Sequence, residues 1–431
     1  MQKKLLTVAV ASALAAPGLA LAQSSVEVYG TVNMSFGLVT YSKDTSTLVS
    51  GVSKWDVANH ASNYGLRGRE SLGGGLTGWF QIEQNAPLER SNNVAITPAS
   101  RNSAVGIQGS WGNFFMGQWT TPWADLDSLW SVGTVGGWGP VTSVIGRRET
   151  TGTAPNTNCV NGHWSGGATP KGLPTDVALT PCDAVAGGGG VGHAFWRRIS
   201  NSVFYQSPTF LGGWQFKLGL QTNEGKSTSV AAATTVARAV TSRNPYLWST
   251  SLQWAGMGGQ ARVGVSYDRH HDFTTVGRND IGYALKGGWN FGVADIGVAL
   301  ERMTYKPSLA PVDCNTSQWG LAIAIPTGTG AIRASYARAS DAGATCGAPA
   351  NPFGSTASSA TSKNGANEFN IGYEHRFSKR TQVGFGYAAI NNDAGGAWAW
   401  TGLPPSGNGF SNTPAAGADV STWFINITHR F

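Results

Sequence analysis

The stretch VSTWFINITHRF, Val420–Phe431, decides the fold. Read in alternation from its end, Phe431, His429, Ile427, Ile425 and Trp423 fall on one face, and Arg430, Thr428, Asn426, Phe424 and Thr422 on the other. This is the period of two of a β-strand, apolar on one side and mostly polar on the other. In a soluble protein such a strand needs a partner sheet to cover its apolar side; in a membrane barrel that side meets lipid. The terminal Phe431 suits an anchor at a membrane interface.

Export is written at the other end. Lys3 and Lys4 precede an apolar run from Leu5 to Leu21, broken by Pro17 and Gly18, and Ala20-Leu21-Ala22 supplies a small-residue cleavage site. Residues 1–22 are therefore expected to be a signal peptide, leaving 409 residues from Gln23 and lowering the formal charge from +7 to +5. No later segment offers the roughly 18 consecutive apolar residues of a spanning helix. Charged residues make up only 12% of the chain, about half the usual share, while Gly (59) and Trp (17) are abundant. Such a balance suits an all-β protein whose outer surface is not water. The mild basic excess lacks the Lys/Arg runs or aromatic-basic motifs of a nucleic-acid binder, and no cofactor or metal motif is present. Four cysteines fall as two spaced pairs, Cys159 with Cys182 and Cys314 with Cys346. Export permits disulfides, and these pairings are favoured as loop staples among the three that four cysteines allow.

From Val26 onward, alternating segments of about ten residues are separated by turn material that is short and long by turns, the rhythm of an up-and-down barrel. Sixteen strands are read near 26–41, 61–70, 76–86, 100–109, 113–119, 197–207, 213–222, 245–255, 260–270, 280–290, 294–305, 317–327, 331–341, 367–378, 382–393 and 420–431. Residues 42–60 are read as a long connection. An even count lets the first strand pair with the last and leaves no open edge. In 213–222, Trp214, Phe216, Leu218 and Leu220 oppose Gln215, Lys217, Gly219 and Gln221. A face so polar cannot be a dry core, because each unpaired buried charge costs several kcal/mol; a water-filled lumen removes that cost, and sixteen strands are wide enough to hold one. One connection breaks the rhythm: residues 120–196 are far longer than an ordinary loop, and the economical place for them is inside the barrel, as a constriction.

Several stretches resemble the Gram-negative general porins of the betaproteobacterial and neisserial type. They are Tyr29-Gly30, the run YGLRGRESLGGGL (Tyr64–Leu76), RNSAVGIQG (Arg101–Gly109), NSVFYQSP (Asn201–Pro208), FSKRT (Phe377–Thr381) and the closing THRF. The resemblance implies a sixteen-stranded antiparallel transmembrane β-barrel, a homotrimer in the outer membrane, with the long third loop folded into the lumen. It also implies acidic loop residues facing basic wall residues across a narrow eyelet. Gln118 stands where the family commonly has Arg, and Ser62-Asn63 where it has Ser-Arg, so the basic wall is partly rewritten.

Alternation assigns that wall to Arg67, Arg69 and Arg198, with Lys217, Arg262, Lys286, Arg333 and Arg376 extending it. Arg101 fits the family's basic position, but alternation groups it with Val105 and Ile107, so the strand's start must bend to aim it inward. Asp125 and Asp127 are expected opposite, on a loop that also carries Trp119, Trp123 and Trp130. These indoles are read as packing for an irregular segment in preference to ligand contacts. Tyr29, Tyr283, Tyr373 and Trp289 are read as interfacial girdle residues.

Passive diffusion of small hydrophilic solutes and ions, leaning towards anions, is the function that follows. A substrate-specific channel and a plugged adhesin or structural barrel are the alternatives. A barrel hydrolase would need Ser, His and a carboxylate converging on one spot, and no motif places any of the seven His beside a Ser. The implied partners are outer-membrane lipid, lipopolysaccharide, the barrel-assembly machinery acting on Phe431, and small anions or neutral solutes.

Overall fold

The structure, a computed structural model, describes residues 25–43, 50–89, 98–145, 195–222, 246–271, 277–306, 313–341, 365–396, 398–400 and 417–431, with short pieces at 159–160, 163–164, 227–230, 240–244 and Lys363. The signal peptide read at residues 1–22 lies outside these residues, as do Cys182 and Cys346. Of Cys159 and Cys314 only the strand backbone is described, so both staples fall beyond it.

The wall strands are β1 (Ser25–Lys43), β2 (Ser50–Asn59), β3 (Asn63–Gly73), β4 (Leu76–Asn85), β5 (Ser103–Gly109) and β6 (Gly112–Thr120). After the long connection come β7 (Arg198–Gln206), β8 (Trp214–Gln221), β9 (Tyr246–Gly256), β10 (Ala261–His271), β11 (Asn279–Asn290) and β12 (Asp295–Tyr305). The series ends with β13 (Cys314–Thr327), β14 (Gly330–Ala339), β15 (Ala366–Arg376), β16 (Thr381–Asn392) and β17 (Val420–Arg430). These are seventeen segments but sixteen wall positions, because β2 and β3 follow one another along the same edge of β1. The other edge of β1 pairs antiparallel with β17, from Thr31↔Arg430 to Tyr41↔Val420, and closes the barrel.

Residues 50–59, read above as part of a long connection, are strand β2. Trp55 and Val57 are exposed on one face while Asp56 and Ala58 turn to the other; the Ser, Lys and Asp between the apolar residues disguise the alternation. The wall position breaks between β2 and β3 at Ala61, whose φ of 55° is left-handed. Ser62 bridges the break: its Oγ accepts from Asn33 N at 2.9 Å and donates to Asn33 O at 3.2 Å. The ladder therefore stays satisfied without regular pairing.

Around the barrel the apolar positions of each strand stand exposed and their neighbours do not. In β17, Trp423, Ile425 and Ile427 are 55–66% exposed, whereas Phe424, Asn426 and Thr428 are buried. In water such a belt would be an aggregation surface; in a bilayer it is the solvated one. Tyr283 and Trp289 lie on this exposed side, and alternation puts Tyr373 beside the exposed Ile371. Tyr29 does not: alternation with the exposed Val26 and Val28 turns it to the polar face. There its hydroxyl donates to Glu83 Oε2 at 2.9 Å and the Arg67 guanidinium lies 4.8 Å from its ring centroid.

At the short-turn rim, the φ of +80° at Gly73 and +62° at Gly328 require glycine. The seam between first and last strands ends there. Phe431 exchanges both backbone hydrogen bonds with Gly30, and its ring fills the space that a Gly30 side chain would occupy. A Cβ at Gly30 would also lie 2.7 Å from Asn63 O. Gly30→Val is therefore expected to destabilise the barrel by about 1–3 kcal/mol, read as a lower temperature for loss of the fast-migrating folded band in heat-modifiability gels, with Val293→Ala, at a residue 79% exposed in another short turn, as the control.

Candidate functional site

The segment after β6 begins with one helical turn, α1 (Pro122–Asp125), started by Pro122 and capped by the Thr121 hydroxyl. It continues through short 3-10 turns at Leu126–Leu129 and Pro140–Thr142. The polar face of the wall receives this segment strand by strand, and glycines make the room. Leu126 and Leu129 lie where a side chain at Gly264 of β10 would be, 2.6 and 2.8 Å from its Cβ, and the Trp130 ring does the same at Gly320 of β13, 2.8 Å away. Trp123 packs at Gly282 of β11 together with Phe195. Val135 sits at Gly384 of β16, and Gly136 accepts from Asn426 Nδ2 of β17. Trp138 reaches β1, where its Nε1 donates to Ser35 Oγ at 3.2 Å, and it meets the ring of His60 at the break between β2 and β3. These contacts run from β10 round to β1, and Pro122 extends them to β8, 3.2 Å from where a Cβ at Gly219 would be.

Cations on the wall hold the segment at intervals. Lys217 of β8 binds Asp125 at 3.1 Å. Lys286 of β11 is fully buried between Asp127 at 2.6 Å and Glu301 of β12 at 2.7 Å. The two indole N–H groups beside it complete the cluster, Trp123 donating to Glu301 and Trp130 to Asp127. Arg262 donates to Leu129 O at 2.7 Å and pairs with Asp295 at 2.6 Å. Arg333 donates to Val132 O and pairs with Glu374 at 3.4 Å. Burial pushes the Asp125 carboxyl above its usual pKa, with the Lys217 ammonium drawing it back.

Asp125 and Asp127 thus touch Lys217 and Lys286 directly instead of facing them across a gap. Arg376 stands exposed at the short-turn end of β15, 3.8 Å from Glu374, and the remaining arc, β3 to β7, carries the other four. Arg67 forms a two-pronged pair with Glu27 of β1, at 2.8 and 2.9 Å. Arg69 is exposed two residues nearer the short turn. Arg101 lies before the start of β5, off the strand's alternation, and pairs with Glu83 at 2.5 Å. Arg198 donates to Asn102 Oδ1 at 2.9 Å. Gln118, standing at a position of family arginine, donates to Ala99 O and Arg101 O, both at 3.3 Å, and so steadies the approach of Arg101. Trp119 belongs to β6 and not to the segment beyond it; Trp123 and Trp130 are completely buried, as packing requires.

The acids Glu27, Glu83, Asp295, Glu301 and Glu374 are the partners that the sequence reading left out. Alternation marks each as polar-face, Glu27 between Val26 and Val28 for example, but nothing local says which cation it meets. His270 and His271 diverge, the first stacking on Phe195 and the second bonding Asn279.

The sequence profile of the Gram-negative porin family matches residues 7–395. The chain belongs to the Gram-negative porins. It is similar to outer membrane porin protein 32 of Delftia acidovorans, 25% identical over 400 residues covering 91% of this chain and 90% of that one. An outer membrane porin protein of Bordetella pertussis is 23% identical over 321 residues, 70% of either chain. The anion-selective porin from Comamonas acidovorans superposes with a TM-score of 0.64 at 21% identity, over 95% of this chain and 100% of that one. OmpT of Vibrio cholerae in its trimer form gives 0.55 at 12%, over 95% and 99%. The porins of this family are outer-membrane channels, and the closed sixteen-stranded barrel is theirs.

In this porin the Lys286 cluster ties segment to wall through a fully buried cation and two carboxylates. Lys286→Met leaves Asp127 and Glu301 buried without their cation and is expected to cost about 3–5 kcal/mol. The triple variant Lys286→Met, Asp127→Asn, Glu301→Gln removes the charges together and is expected to recover most of that loss. Thermal unfolding in detergent, with limited proteolysis of the segment, measures both.

Proposed function

We propose that this porin is a passive, anion-preferring channel in which the segment from Thr121 to Ile145 lies within the lumen and narrows it. Solutes pass between that segment and the arc carrying Arg67, Arg69, Arg101 and Arg198, by size exclusion and electrostatics, with no chemical step. The observation that carries the anion preference is a cavity of about 1140 Å³ between the segment and the short-turn rim. Arg333, Arg376, Lys379 and Arg430 line it against only Asp295 and Glu374. Arg333 and Arg376 share Glu374, Arg262 claims Asp295, and the excess positive charge stands among Arg376, Lys379 and Arg430 at the mouth. Charge at a pore mouth raises the local concentration of the opposite ion. The segment's own carboxylates, which would favour cations, are spent on Lys217 and Lys286. The likeness to an anion-selective porin points the same way.

A homotrimer is part of the proposal, supported by the trimer form of a structural relative. So is recognition of Phe431, which is 47% exposed at the end of β17, by the assembly machinery, with lipid and lipopolysaccharide against the apolar belt.

Reversal potential in a planar bilayer under a potassium chloride gradient tests the selectivity. Chloride preference is expected in the wild type, and Arg376→Glu with Lys379→Glu and Arg430→Glu is expected to lower the chloride-to-potassium permeability ratio several-fold or invert it. Cation preference in the wild type would overturn the proposal.

A further inference from the structure

Where most of the polar face is Gly, Ala, Ser and amides, one patch of β4, β6 and β7 is aromatic. Phe115 and Phe204 stack there with centroids 4.9 Å apart and planes 8° from parallel, both buried. Beside them Trp79 and Trp119 are only partly buried, with centroids 5.9 Å apart and planes at 72°. Trp79 packs against the wall: a Cβ at Gly106 of β5 would meet its Nε1 and Cε2 at 2.7 Å. Its Nε1 donates to Asn113 Oδ1 at 2.8 Å, which fixes the ring's rotation. Trp119 is propped by Phe115 at 5.2 Å and 68°. The two indoles therefore form a rigid corner, a floor and a side.

Trp123, Trp130 and Trp138 bury themselves to seat the segment, but Trp79 and Trp119 keep apolar area in reach of lumen water, an arrangement that favours a guest with a face to cover it. The rim of the corner is polar. Gln81 follows Trp79 on the same face and donates to Asn102 O at 2.8 Å.

We propose that this corner is a stacking subsite for aromatic carboxylates, with the ring on Trp79 against Trp119 and the carboxylate left in lumen water. Flat rings gain from offset and edge-to-face contact with indoles. The proposal rests on the anion-preferring reading for the guest's charge; the ring preference comes from the corner alone.

The test measures chloride current through single channels of the refolded porin with benzoate, acetate or cyclohexanecarboxylate added. Benzoate is expected to reduce the current saturably at concentrations where the other two do not. Trp119→Ala and Trp79→Ala are expected to weaken that block roughly fivefold to tenfold, and Trp119→Phe to keep most of it. Chloride reversal potential is expected to stay unchanged in all three. Trp119→Ala leaves the Trp79–Asn113 hydrogen bond intact, so it carries the comparison should Trp79→Ala fail to refold. Benzoate that behaves as acetate, or a block untouched by Trp119→Ala, overturns the subsite while leaving anion preference standing. Cation preference in the unmodified channel defeats the anion reading, and the neutral probe benzyl alcohol then decides the corner by the same Trp119→Ala comparison.

Discussion

Inside a bilayer no water is available to a backbone N–H or C=O, and an unpaired group costs several kcal/mol. The pairing of β1 with β17 answers that constraint, and the rest of the barrel depends on it. Once the seam is closed there is no edge, and every strand has one face for lipid and one for the interior. Even the interruption at Ala61 obeys the rule, since Ser62 supplies by side chain the bonds that the ladder lacks there. Phe431 finishes the seam by bonding Gly30 and laying its ring over it.

Closure fixes the polar face as a surface of limited area, and residues 121–145 pack on part of it. Glycines at 264, 282, 320 and 384 leave hollows for Leu126, Leu129, Trp123, Trp130 and Val135. Lys217, Arg262, Lys286 and Arg333 then fasten the segment by its carboxylates and carbonyls. The Lys286 cluster works because both acids and both indole N–H groups converge on one buried point; a buried cation without such partners would be strongly unfavourable. These contacts match each of the four cations with an acid or a carbonyl, whereas at the short-turn mouth Arg376, Lys379 and Arg430 outnumber the acids beside them.

Tryptophan illustrates how position decides what one residue type does. Trp289 and Trp423 face the lipid side, Trp123, Trp130 and Trp138 are buried beneath the segment, and Trp79 and Trp119 stand half-open on the interior wall. The same large amphipathic ring serves as interfacial anchor, packing body or contact surface according to what its two faces meet.

Strand alternation in the sequence alone determined which side chains share a face, because a period of two follows from backbone geometry and needs no partner. It placed Lys217, Arg262, Lys286 and Arg333 on the polar side, counted sixteen wall positions and required Arg101 to bend. It missed β2, whose polar residues mask its apolar pair, and misplaced Tyr29 and Trp119, where one residue of phase or boundary changes the assignment. What only the tertiary structure decided is which residues meet across the barrel: Asp127 with Lys286 is a contact over 159 positions of chain. Such pairings depend on strand register and on the path of the segment over the wall, and both are set by closure of the whole ring and by no local stretch of sequence.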